Sequence, residues 1–247
     1  MRHTHARVLA VVVFAGLLSS PATTALLVAE QVKSSGHDGA RPVDTRPLPA
    51  HVTYRGLTYG EWIARWWQEG FATWEAGSDP AVSGVFGGSN AMVFLSAPVL
   101  PAGSPKVTIH ATIPPGTHLF FPIITVECSV AEPPPFHGEN EAELRACANG
   151  LLDLVTDPYA RIDGRAVRNP AAYRTDSPLF RYGPLTEGNV LGLPTATLSD
   201  AVGAGYFLLL PPFGVGMHRI SVRADVPDFG LAVDAEFIIK VEPQRGK

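Results

Sequence analysis

Charge is scarce in this chain. Only 17% of its 247 residues are Asp, Glu, Lys or Arg, and the formal net charge is −4. No basic excess exists to neutralise phosphates, which argues against a nucleic-acid partner. Cysteine is scarcer still, with two residues, too few for a disulfide-dense scaffold or a four-thiolate zinc module. Beyond the N-terminal region no apolar run is long enough to span a bilayer. The chain has no H-E-x-x-H, G-x-S-x-G, P-loop or EF-hand pattern, so no motif names a reaction. The glycine-rich stretch at 84–88 is not followed by Lys-Ser/Thr and reads as a loop.

What is present is apolar and turn-rich. Hydrophobic residues make up 46%, enough for a core, and 24 Gly with 23 Pro favour short strands over a helical bundle. The N-terminus has the layout of an export signal. A basic start (Arg2, Arg7) precedes an apolar run at Val8–Leu18, and small residues through Ala25 follow. Cleavage after Ala22 or Ala25 is expected, leaving no stable membrane span. The rival is an uncleaved anchor, since apolar residues resume at Ala25. Residues 26–53 are polar and proline-rich and read as a flexible leader, with one domain over 54–243. Export places the protein outside the cell or in the periplasm and envelope. In such an oxidising compartment Cys128 and Cys147, 19 positions apart, form a disulfide. A metal pair, a thiol nucleophile and an intermolecular link are the alternatives; the pair lacks C-x-x-C spacing.

The period of the apolar residues changes along the domain. Thr58–Glu61 fits a capping box, and Trp62, Ile63, Trp66, Trp67 and Gly70 follow at helical spacing, predicting a helix from Tyr59 to about Glu69. A second cap, Asn140 with Glu143, opens a helix expected to run to Asp157-Pro158. The remainder alternates as strands: 91–95, 106–113, 118–126, 205–210, 217–224 and 231–241, with an Asp163-Gly164 hairpin. The 118–126 run is apolar on both faces and predicts a central strand, with a bulge at Pro122. The fold class that follows is mainly β: an antiparallel β-sandwich, jelly-roll or Ig-like, carrying two short helices.

Three segments, YGEWIARWWQ (59–68), FFPIITVECS (120–129) and GENEAELRAC (138–147), together resemble an uncharacterised family of secreted bacterial proteins. The resemblance spans about residues 54–242. It implies export, a single domain and the Cys128–Cys147 bridge, and it implies no catalytic residue. Members often carry a second cysteine pair; here Ala111 stands where one of those cysteines belongs.

Candidate chemistry concentrates in two places. Glu127, Glu132, His137, Glu139, Glu141 and Glu143 lie within 17 positions. Glu127 and His137 are the metal candidates, for calcium or zinc. Glu127, ending an apolar strand, is also the candidate acid–base carboxyl. The structural alternative is that the later glutamates favour a helix N-terminus while Glu127 pairs with an arginine. The second place is the tryptophan helix: Trp66 and Trp74, with Arg65, form a candidate platform for a sugar ring, Trp74 being the expected exposed one. Helical spacing equally fits burial of these rings. His110 and His118 flank one turn, and His218 alternates with core residues. Three functions follow, in order: a secreted non-enzymatic binding domain for a glycan or cell-surface polymer; a structural or interaction protein meeting another envelope protein; and a secreted hydrolase or lyase on a jelly-roll scaffold using Glu127 or His137.

Overall fold

In the computed structural model, residues 46–75, 82–86 and 91–243 are described. The expected signal segment and most of the expected leader lie outside them. Two helices, α1 (Tyr59–Thr73) and α2 (Glu141–Leu152), accompany β1 (Val82–Phe86), β2 (Met92–Leu95), β3 (Leu100–Pro101), β4 (Val107–Ile113), β5 (His118–Ser129), β6 (Thr156–Ile162), β7 (Arg165–Ala166), β8 (Arg174–Asp176), β9 (Phe180–Tyr182), β10 (Ser199–Leu210), β11 (Gly216–Val226) and β12 (Leu231–Val241). The strands form two packed sheets. The first runs β1-β2-β5-β10-β8, with β9 further along the same edge of β10. The second runs β3-β12-β11-β6-β7, with β4 also on β12. Most pairs are antiparallel, but β2 on β5 and β4 on β12 are parallel. The mainly β sandwich with two helices expected from the sequence is what forms, and its two parallel pairs arise because the chain crosses between sheets instead of folding back as hairpins.

One crossing separates two histidines. The turn at Pro114–Thr117 joins β4 of the second sheet to β5 of the first. His110 is therefore exposed beside Ile238, whereas His118 Nδ1 meets the Tyr54 hydroxyl at 2.9 Å. His218 is engaged through both ring nitrogens, with Asp163 Oδ2 at 2.7 Å and the Gly214 carbonyl at 2.8 Å.

β5 and β10 lie at the centre of the first sheet and are apolar on both faces. Leu119, Phe121, Val202, Ala204 and Leu208 pack toward the second sheet. Phe120, Ala201, Phe207 and Leu209 pack toward α1. Along β10 this alternation never breaks. Along β5 it shifts, because Phe207 pairs with Pro122 while Gly205 pairs with Thr125. One extra residue stands in β5, the bulge that Pro122 predicts. Beyond it Ile124 and Cys128 join the inter-sheet core. Thr125, Glu127 and Ser129, opposite Gly205, Gly203 and Ala201, take the α1 side.

α1 forms where its cap predicts. The Thr58 N–H donates to Glu61 Oε2 at 2.7 Å, and the Glu61 N–H donates back to Thr58 Oγ1 at 3.3 Å. The helix runs four residues past Glu69, because Gly70 does not end it. Gly70 instead clears space for Trp74, whose ring lies 2.5 Å from where a Cβ would stand. Ordered packing also begins earlier than Tyr54: the Leu48 N–H donates to the Leu209 carbonyl at 2.8 Å, and Leu48, Ala50 and Val52 cover the α1 cluster. α2 starts at its Asn140 cap but ends at Leu152, short of Asp157-Pro158. That dipeptide lies in β6, where Pro158 has no β7 neighbour to receive an N–H.

The Cys128–Cys147 disulfide is formed and joins β5 to α2. By the chain-entropy relation, closing a loop of 19 residues stabilises by about 3 kcal/mol. We expect a Cys128→Ala/Cys147→Ala protein to lose about that much in denaturant unfolding. An unchanged midpoint shows that packing of α2 alone holds this edge.

Candidate functional site

The bulge determines what Glu127 meets. On the α1 side the carboxyl is 4% exposed, and Glu132, from the loop after β5, is 5% exposed beside it. The two carboxyls interact electrostatically. The Ser129 hydroxyl donates to Glu132 Oε2 at 2.9 Å, and the Tyr182 hydroxyl donates to Ser129 Oγ at 3.0 Å. Burial first, and the Glu132 charge second, push Glu127 well above the ordinary carboxyl value. Burial also raises Glu132. Two carboxyls in one apolar site cannot both ionise at low cost, so the pair as a whole favours retaining a proton. The expected arginine partner of Glu127 is corrected: the partner is a second acid. Glu127 Oε1 has no hydrogen-bond partner among the described residues.

Trp67 shares that property. Its Nε1 is buried and unpartnered among the described residues. The other helix tryptophans are satisfied: Trp62 Nε1 donates to the Tyr54 carbonyl at 3.0 Å and Trp66 Nε1 to the Leu95 carbonyl at 3.1 Å. Trp67 Nε1 lies 2.4 Å from where a Cβ on Gly203 would stand. Gly203 is the cross-strand partner of Glu127. The unpaired N–H and the unpaired carboxyl oxygen therefore converge over one cross-strand pair, where opposing Cβ positions lie about 5 Å apart. A side chain at 203 would close this space; glycine keeps it.

Beside them is a cavity of about 150 Å³. It sits where β2 stops covering β5. β2 pairs with β5 only as far as Phe94 and Phe120, after which the chain leaves through Ser96–Val99 for the other sheet. Trp66, Trp67 and Trp74 line one side, Leu151 and Val155 beside α2 another, and Phe229 of the second sheet's corner a third; Glu127 is in the wall. Trp66 stands at 90° to Trp67 with centroids 5.0 Å apart, and at 71° to Trp74 at 4.8 Å. These edge-to-face contacts fix the wall.

The sequence candidates thus divide. Glu127, Trp66 and Trp74 come together at the cavity. Trp74 is 9% exposed, which corrects its reading as the exposed ring: it folds back over Gly70. Arg65 is exposed and lies over the Trp62 ring at 5.5 Å, outside the cavity lining. His137 Nε2 faces Glu139 Oε1 at 3.3 Å. Among the described residues no three or more His, Cys, Asp or Glu side chains gather as a metal site, so the calcium or zinc reading of Glu127 and His137 has no ligand set there. Ser129, Tyr182 and Gly203 were not singled out from sequence. Their one signal was the small-residue series Ala201-Gly203-Gly205 inside an apolar strand, a pattern that marks close approach by another element.

Comparison with protein-family models, with curated proteins and with solved structures gave no match.

The carboxyl pair has a signature in stability. The ordinary glutamate value is 4.5, and Glu127 lies well above it when folded. Between those values the folded state holds more protons than the unfolded chain. Its contribution is therefore present below the unfolded value and is lost as pH rises through the window, at up to about 1.4 kcal/mol per pH unit. We expect Glu127→Gln, which cannot ionise, to gain stability relative to wild type as pH rises above 4.5 in urea unfolding. A difference that is flat or of opposite sign shows that the folded state does not hold Glu127 neutral.

Proposed function

We propose that this protein is an exported, non-enzymatic binding domain that takes a compact, mainly apolar ligand into the cavity at the β5 edge. The carrying observation is the cavity itself: tryptophan and aliphatic walls with one buried carboxyl among them. Apolar walls with a few fixed polar groups are the usual make-up of small-molecule sites. At about 150 Å³ the space matches a cavity that admits benzene. A glycan stacked on an open tryptophan face is less well supported, because all four tryptophans are buried. The disulfide, and the absence among the described residues of a helix able to cross a membrane, are compatible with an extracellular or periplasmic place. The N-terminal signal pattern supports the same location, as does the resemblance to a secreted family.

One observation favours a second reading. A protonated carboxyl beside an ionised one can act as an acid–base pair, as a hydrolase or lyase requires. Against it, the cavity around Glu127 is walled mainly by apolar side chains. Binding is the reading better supported.

The test uses benzene as a shape probe. Added benzene is expected to raise the melting temperature in a concentration-dependent way, since a ligand that binds only the folded state stabilises it. Val155→Phe, which places a ring in the cavity, is expected to remove the response. A melting temperature indifferent to benzene in the wild-type protein contradicts the binding reading.

A further inference from the structure

The cavity reading leaves open what kind of polar group its ligand carries, and two unpaired atoms answer that. Trp67 Nε1 is a donor only, and Glu127 Oε1 is an oxygen of a buried carboxyl with no hydrogen-bond partner among the described residues. Leaving such groups buried and unpaired is costly, and native structures rarely do it without reason. Gly203 brings both to one place, since the indole N–H lies against its α-carbon and Glu127 stands opposite it on β5.

We infer that the cavity binds a neutral, hydroxyl-bearing ligand, a compact cyclic alcohol or phenol, whose hydroxyl is held between Trp67 Nε1 and Glu127 Oε1. This rests on the binding function proposed above and adds the chemical class of the ligand. A hydroxyl both accepts and donates at one atom. It accepts from the indole N–H and donates to the carboxyl oxygen, so one ligand atom satisfies both protein atoms. An ammonium group has no acceptor and leaves the indole N–H unpaired. A carboxylate has no donor and faces the acidic pair as a like charge. A hydrocarbon satisfies neither atom. Both atoms are buried, so the hydroxyl reaches them through local movement of the Trp67 ring and of the Glu127 terminal torsion, which is broad and soft for carboxyl groups. Gly203 and Trp67 are positioning residues in this arrangement; Glu127 and Trp67 are the contacts.

The experiment compares four probes by calorimetric titration of the mature protein: cyclohexanol, benzene, cyclohexylammonium and cyclohexanecarboxylate. Cyclohexanol is expected to bind at least about tenfold more tightly than the other three, the scale of one hydrogen bond that otherwise goes unmade. Trp67→Phe, which keeps a ring but removes the N–H, is expected to bring cyclohexanol to within about twofold of benzene while leaving benzene itself bound. Should that variant not fold, Glu127→Leu, which removes the carboxyl oxygen, is expected to narrow the same gap. If benzene binds the wild-type protein as tightly as cyclohexanol, the hydroxyl inference is overturned and the apolar cavity stands, as it does if water alone bridges the two atoms. If either charged probe binds most tightly, the head-group class is wrong. If none of the four binds, the binding function itself falls and this inference with it.

Discussion

A single extra residue in β5 determines which face the end of that strand presents. Side chains on a strand alternate, so one inserted residue exchanges the faces of everything beyond it. Before Pro122 the odd residues Leu119 and Phe121 look into the inter-sheet core; after it Ile124 and Cys128 do. Without that shift Glu127 would project between the sheets and Cys128 toward α1. With it Cys128 reaches Cys147 on α2, and Glu127 reaches Glu132, Ser129 and the tryptophan helix. The disulfide and the buried acids are consequences of the same backbone irregularity. Proline suits the position because it has no N–H to contribute to a regular ladder.

The unbroken alternation on β10 supplies the other half. Ala201, Gly203 and Gly205 oppose Ser129, Glu127 and Thr125 on the α1 face. The larger residues on one strand meet the smaller ones on its neighbour. That leaves room for α1 to press an indole against the sheet at Gly203, and it confines Glu127 to a narrow apolar space. Farther along, Phe207 and Leu209 fill the same face, and there the helix packs on rings, with Phe120 stacked on Phe207 at 5.0 Å. One helix thus rests on a dry aromatic surface over one part of the sheet and on a surface of small and polar residues over the other.

Much of this architecture was legible in the sequence because it rests on local signals. Both helix caps are side-chain patterns four residues long. The Pro122 bulge, the hairpin with positive φ at Asp163 and Gly164, and the alternation of β12 all express short-range geometry. The end of α2 was not legible, because Val155 continues the helical spacing and packs on the core from a turn instead. The crossing at Pro114–Thr117 was equally hidden: a proline-glycine turn reads the same whether the next strand stays in the sheet or changes sheets. Glu127 was visible as an acid ending an apolar strand, but its partner was not. Pairing it with an arginine was the ordinary expectation, and no local rule brings in Glu132. Trp74 failed for a related reason. Its position beyond the predicted helix suggested exposure, while its return over Gly70 depends on a missing Cβ, which helical spacing does not reveal.

Magnitudes indicate why the fold tolerates an unsatisfied site. Burying one tryptophan removes about 150–250 Å² from water, worth roughly 4–6 kcal/mol at about 25 cal/mol per Å². Four such rings cluster on and behind α1. An unpaired buried polar group costs about 1–3 kcal/mol, so the two at Trp67 and Glu127 cost less than the docking of the helix contributes. The cost is nevertheless large beside a net stability of about 5–15 kcal/mol for a typical domain. Replacing Glu127 by an apolar residue and Trp67 by phenylalanine would avoid it without altering the packing direction of either element. Local rules for strand pairing, capping and core polarity agree along most of this chain. His137 Nδ1 is one departure, buried and unpartnered among the described residues; at the cavity several coincide, namely two unpaired polar atoms, a glycine under an indole and the apolar walls. Such coincident departures support the binding site proposed above.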